Sequence, residues 1–223
     1  MTSKLLRLSQ HQAHGTSLFA VTTTGISGAL GYSGQVDYEA AAAIATCGMV
    51  TATYGARATT MISGPVLKKA LGVFMICVAP LIPAKTYLTS DDSGSGHQRK
   101  EEISTLRRLL VPATIGCCSG FLAGLFGVGG GAVVVPALTV ATDMNHYQAL
   151  GTSLCAMALP AMVGTFTHYS KGNVAMRIAP ALAMGAFMGG YVGGKLGMTV
   201  EESRLRWCFS ALMLALGART LLV

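Results

Sequence analysis

A phrase near the start of this chain returns in its second half. His11-Gln-Ala-His-Gly-Thr-Ser-Leu-Phe-Ala20 reappears as Tyr147-Gln-Ala-Leu-Gly-Thr-Ser-Leu-Cys-Ala156. The match continues: Gly28 corresponds to Gly164, and Tyr32-Ser33 to Tyr169-Ser170. Extra residues around Lys171 then shift the register, and Val36 corresponds to Val174, Gly55 to Gly193 and Met75 to Met213. Solenoid repeats run about 20–50 residues, so this spacing is far too long for one. In an apolar chain it marks a membrane protein built from two related halves. That plan is common among secondary transporters, whose sites lie between the repeats.

The chain is 52% hydrophobic and only 11% charged. Soluble domains carry about 25% charged residues, which excludes an ordinary water-soluble fold. Most of its 28 glycines sit inside the apolar runs, as suits membrane helices that approach closely through small residues. The net charge of +7 comes from basic residues at the ends of apolar stretches. They read as interfacial anchors, and nucleic acid is not an expected partner. Lys4 and Arg7 ahead of an apolar stretch resemble a signal peptide, but residues 11–36 recur mid-chain and belong to the fold.

Apolar runs of membrane-spanning length cover 14–32, 38–60 and 66–86, then 109–142, 150–168, 174–196 and 205–223. The expectation is an all-α, polytopic transmembrane bundle of about seven segments. Residues 1–86 form the first repeat, 87–106 a polar linker and 107–223 the second repeat. Lys and Arg divide evenly between the two sides, so the charge rule sets no orientation. The run 109–142 is too long for one span. Gly127-Val-Gly-Gly-Gly131 and Pro136 interrupt it, predicting a broken helix. Irregular backbone at membrane depth must be buried in protein or line a wet cavity, so this break is the leading candidate site.

Gly127-Val-Gly-Gly-Gly-Ala132 formally matches a dinucleotide fingerprint, but the acid, Asp143, stands too near and Pro136 follows at once. The break reads better as backbone N–H groups at the positive end of a half-helix, a concavity suited to anions. Close helix packing through the same glycines is the alternative. Thr16-Ser17 and Thr152-Ser153 each open an apolar run, and read as helix caps or as hydroxyl donors to an anion. Their duplication suggests that they face each other across a pseudo-two-fold axis. Arg57 and Lys195 align in the repeat near the ends of spans, and read as snorkelling anchors or as charge selection for an anion. His146 and His168 flank the second copy's helix and read as loop-end residues in interfacial water, with a proton relay as the alternative. The spans hold almost no acids, which argues against a cation pathway. Cys47, Cys77, Cys117, Cys118, Cys155 and Cys208 all fall in apolar runs, with no C-x-x-C pair and no ligand spacing. They read as small buried residues, and no metal or cofactor is expected. A thiol enzyme using Cys117 and Cys118 is the weaker rival.

In order, Gly120-Phe-Leu-Ala-Gly-Leu-Phe-Gly-Val-Gly-Gly-Gly131, Val135-Pro136 and Ala149-Leu-Gly-Thr-Ser-Leu154 resemble the sulfite exporter TauE/SafE family. His168-Tyr-Ser-Lys-Gly172 and Gly189-Gly-Tyr-Val-Gly-Gly-Lys195 are similar to that family's following segments. The resemblance implies a permease in the cell membrane for small anions, sulfite or organosulfonates among them. In the family pattern a glycine-rich segment heads both halves. Here about ten residues precede the first copy of the motif, against the forty of 107–146 before the second. The chain therefore reads as N-terminally short. The expected function is anion transport by alternating access. The expected binding residues are Gly127, Gly129, Gly130 and Gly131 with Thr152, Ser153, Thr16 and Ser17, and Arg57 and Lys195 act in charge selection. The alternative is a truncated, non-transporting scaffold or subunit.

Overall fold

The computed structural model describes residues 10–59, 64–83, 103–126, 131–142, 144–170, 172 and 174–222. Among them the chain is all-helical: α1 (Gln10–Gly31), α2 (Tyr38–Thr59), α3 (Gly64–Val78), α4 (Ile103–Phe126), α5 (Gly131–Ala141), α6 (His146–Ser170), α7 (Ala179–Thr199) and α8 (Glu202–Leu222). Helices α1, α2, α4, α6, α7 and α8 have 21–25 residues each. At 1.5 Å per residue that length covers about 30 Å of hydrocarbon. Helices α6 and α8 combine it with a mean hydropathy of 1.5 and 1.3. Helix α5 has only 11 residues and falls well short of a crossing.

A helix is what lipid demands, because no water is present to satisfy free backbone groups. The threonines obey the same rule. The hydroxyls of Thr22, Thr24, Thr46, Thr165 and Thr167 each donate to the carbonyl four residues back, at 2.8–2.9 Å. Three expected boundaries move. Helix α4 starts at Ile103, inside the expected linker, because Ile103 through Leu106 extend its first turn; residues 84–102 lie outside the description. Helix α6 starts at His146, not near 150, because Asn145 and Gln148 cap it reciprocally: Asn145 Oδ1 accepts the Gln148 N–H at 2.8 Å, and Gln148 Oε1 accepts the Asn145 N–H at 3.1 Å. Pro136 lies inside α5 and does not end a helix; it forfeits only its own N–H bond, and the helix is short.

Packing runs through glycine. Helices α2 and α4 lie in parallel contact that advances from Ile44 against Gly116 to Gly55 against Leu125. A β-carbon on Gly116 would stand 2.7 Å from the Ile44 Cα, and one on Gly120 would run into the Gly48 backbone. Helices α1 and α7 also run parallel, with Gly31 and Gly194 in backbone contact. Helices α1 and α6 cross antiparallel: Leu18 packs on Gly164, and Leu154 packs on Gly28. Helix α3 pairs with α8, where Gly72 meets Gly217 and the Ser210 hydroxyl donates to the Ala79 carbonyl at 2.7 Å. The main buried cluster joins α2, α4, α5 and α6 through Ile44, Ile115, Val134, Val135, Leu138 and Ala149.

The cysteine reading needs correction. Cys77, Cys117, Cys118 and Cys208 are exposed, and Cys47 and Cys155 are only half-buried. A membrane protein has an apolar solvent on its outside, so an apolar residue has no need to face inward. Cys47 and Cys117 stand side by side on the α2–α4 seam, in a shallow groove with Thr46, Val50 and Thr51.

Candidate functional site

Of the four glycines expected at the break, Gly127, Gly129 and Gly130 lie outside the described residues. Gly131 is the first residue of α5. The opening N–H groups of any helix lack an intrahelical acceptor and carry the positive end of its dipole. A β-carbon on Gly131 would stand 2.6 Å from the Met157 Sδ and 3.6 Å from the Ser153 Oγ. Ser153 is buried, at 1% exposure, and lies seven residues into α6. The start of α5 therefore meets α6 well inside the bundle, with a hydroxyl beside it. Helix α5 then descends to Leu138, which packs with Ala149 near the start of α6.

The structure does not bring the other hydroxyls to this place. Thr152 is fully buried, and its Oγ1 accepts the Asp37 N–H at 3.0 Å. Thr16 is also buried; its Oγ1 accepts the Ala175 N–H at 3.0 Å and donates to the Gln12 carbonyl at 2.6 Å. Each threonine thus holds the turn after the other's helix. Both are inside their helices, so neither is an N-cap; Asp37 Oδ1 caps α2 by accepting the Ala40 N–H at 3.0 Å. Because α1 and α6 are antiparallel, the two brackets lie at opposite ends of the pair. Thr16 stands by the turn that follows α6, while Tyr32 and Val36, beyond the far end of α1, touch Gly151. Sixteen residues of helix separate those ends by about 24 Å. Ser17 is exposed and has no part in the α5–α6 contact.

The two aligned cations differ in setting. Arg57 lies in the last turn of α2, two residues beyond Gly55, which abuts Phe121 and Leu125 at the end of α4. It is thereby carried to the end of α4 at which the glycine-rich segment begins. Lys195 is exposed on α7, with its Nζ 5.9 Å from the centre of the Tyr191 ring.

His146 also departs from expectation. It is fully buried, edge-on to Phe209 at 5.7 Å between ring centres, and not in interfacial water. Helix α8 closes over it: Glu202 Oε1 accepts the His146 N–H at 2.7 Å and pairs with Arg206 at 2.5 Å, while the Tyr147 hydroxyl donates to the Val200 carbonyl at 2.6 Å. This node joining the starts of α6 and α8 was missed. The Asn145-x-x-Gln148 spacing and the acid opening α8 were the signals for it. No group of three or more metal-ligating side chains occurs among the described residues.

Glycine-seamed helices of spanning length, two of them apolar enough to cross a bilayer, are those of an integral membrane protein. The chain belongs to the sulfite exporter TauE/SafE family, whose model matches residues 1–220. It is 28% identical over 190 residues to the probable membrane transporter protein YunE of Bacillus subtilis, covering 78% of this chain and 67% of that one. A probable membrane transporter protein of Xylella fastidiosa is 27% identical over 177 residues, covering 78% and 65%. One of Methanocaldococcus jannaschii is 26% identical over 223 residues, covering 94% and 79%. The chain thus spans about two thirds of the length of the first two relatives. No solved structure matches it.

Proposed function

We propose that this chain moves small anions of the sulfite and organosulfonate class across the cell membrane. The observation that carries the reading is the start of α5 at depth, with Ser153 buried beside Gly131. Unpaired N–H groups at a helix start bind an anion without a fixed positive charge, and so release it as readily. Gly127, Gly129 and Gly130 lead directly into that end and would add further N–H groups. Arg57, carried to the end of α4, raises the local anion concentration.

The mechanism is alternating access, one half rocking against the other. Two reciprocal pairs support a duplicated, inverted arrangement: Leu18 on Gly164 with Leu154 on Gly28, and Thr16 with Ala175 as Thr152 with Asp37. In each, the partners exchange places between halves. Thr16 and Thr152 are the brackets at the two ends of this movement; Ser153 is the hydroxyl at the anion.

Efflux of sulfite from proteoliposomes containing the 223-residue chain tests the reading. The expected result is efflux above protein-free vesicles, lost in Gly130→Leu and reduced in Ser153→Ala at equal incorporation. Efflux equal to empty vesicles, or unchanged in Gly130→Leu, would overturn it.

A further inference from the structure

The imidazole of His146 is fully buried, and neither of its ring nitrogens has a hydrogen-bond partner. A neutral imidazole carries one donor and one acceptor, and a buried side chain with both unpaired is rare enough to need a cause. Its place in the fold supplies one. Helix α8 lies along α3 and meets α6 only briefly, where Glu202 and Phe209 close over His146. Phe209 packs on the main buried cluster and also on the separate cluster of Met75, Ala79, Ile82 and Met213 that holds α3 to α8. The histidine therefore sits in the joint between two packed units. The exposed ion pair of Glu201 and Arg204, 3.2 Å apart at the start of α8, places water beside that joint.

The closed joint has no place for a charged ring. An imidazolium brings two N–H donors and a positive charge. Among the described residues the charged groups acting on the ring are Glu202 and Arg206, both on α8. Glu202 already accepts the His146 backbone N–H at 2.7 Å and pairs with Arg206 at 2.5 Å, and the guanidinium repels a second cation. The other titratable groups at this end are Tyr147, whose hydroxyl donates to the Val200 carbonyl, and Tyr32 of α1 near it. Phenols carry no charge near or below pH 7. The described cluster residues from α2, α3, α4 and α5 are apolar, Ile44, Ala79, Ile115 and Leu138 among them. We infer that His146 is a proton-operated latch: the neutral ring lets α8 close over the start of α6, and a proton from the adjoining water holds that end open. The unpaired nitrogens leave the closed form only weakly preferred, since opening hydrates them. Only the open form takes the proton, so acid favours opening by mass action. The latch is independent of which solute the chain moves.

Site-resolved hydrogen exchange at the backbone amide of residue 146 reads the latch, because that N–H is bonded to Glu202 across the joint. The Ala149 amide, bonded to the Asn145 carbonyl within α6 at 3.0 Å, is the internal control. The full chain in lipid nanodiscs is labelled at about pH 7.5 and about pH 5, with rates corrected for the intrinsic pH dependence of exchange. A solvated imidazole titrates near 6.5, so a joint that admits the proton only when open opens up to about 30-fold more at the lower pH. The expected result is a loss of protection of roughly ten- to 30-fold at residue 146, with Ala149 unchanged. In His146→Phe, which keeps an apolar ring against Phe209, and in His146→Gln, which stays polar without titrating, the change should be under about twofold. Equal protection of the unsubstituted chain at both pH values, as a static ring hydrated by a buried water would give, would overturn the inference even if neither variant folds. So would a full pH response that survives in either variant, which would move it to Glu202, or one shared by Ala149, which would make it fraying of α6.

Discussion

Helices α2 and α7 align in sequence at an offset of 138 positions and have different surroundings. On α2, Gly55 is buried against the α4 backbone; on α7, its counterpart Gly193 is exposed. The same residue type therefore has opposite value in the two places. Buried in the seam at Gly55, glycine is required because a β-carbon would run into the Phe121 carbonyl. On the open face it only weakens its own helix, by roughly 0.5–1 kcal/mol relative to alanine. Duplicated sequence preserves a pattern whether or not its partner is present, and the contrast between the halves separates the two uses.

The sharpest way to break the comparison is a bulky side chain in the filled seam. Gly120→Leu should cost more than about 3 kcal/mol, because the Gly48 backbone cannot yield, and folded protein should be nearly absent by size-exclusion chromatography in detergent. Normal recovery of Gly120→Leu would mean that α2 and α4 do not touch as described. A smaller effect separates the two serines. Ser153→Ala should slow sulfite efflux roughly tenfold, about 1.4 kcal/mol, and Ser17→Ala should leave it unchanged; equal effects would place the anion elsewhere. The brackets should behave alike: Thr16→Val and Thr152→Val should each destabilise by about 0.6–1 kcal/mol in thermal unfolding, and a single dominant one would deny their equivalence. The smallest change has the opposite sign. Gly193→Ala should stabilise the isolated chain by about 0.5–1 kcal/mol, where Gly55→Ala destabilises it.

Much of this architecture was legible beforehand, and the gaps have physical causes. Helical class and the approximate positions of the helices follow from hydropathy, since lipid enforces helix. Which face of a helix packs did not follow. In a bilayer the lipid-facing and protein-facing sides are equally apolar, so Cys117 reads as buried in sequence and is exposed. The Gly-Thr-Ser motif reads in sequence as a helix cap or an anion donor, and neither reading names the partners its threonines take. Thr16 and Thr152 were expected to meet, and each reaches instead for a backbone N–H in the other half, a contact made at a separation of 159 and 115 residues. The start of α6 was misplaced because the apolar run begins after the capping pair Asn145 and Gln148. His146 was misread for the same reason, since a helix end in sequence became an interior position once α8 folded over it.

The antiparallel pairing of α1 with α6 has a consequence for synthesis. Gly25 of α1 packs on Ala158, and Gly31 packs on Gly194. When α1 enters the bilayer, neither partner has been made. At about 5–20 residues per second, the ribosome needs roughly 7–28 s after α1 to complete α6 and longer to complete α7. Throughout that interval α1 waits in lipid with its glycine face bare, and so does α2 until α4 arrives. The nascent chain thus carries exposed helix-pairing surfaces for most of its translation, and an early stop would leave a membrane segment seeking partners that this chain never supplies.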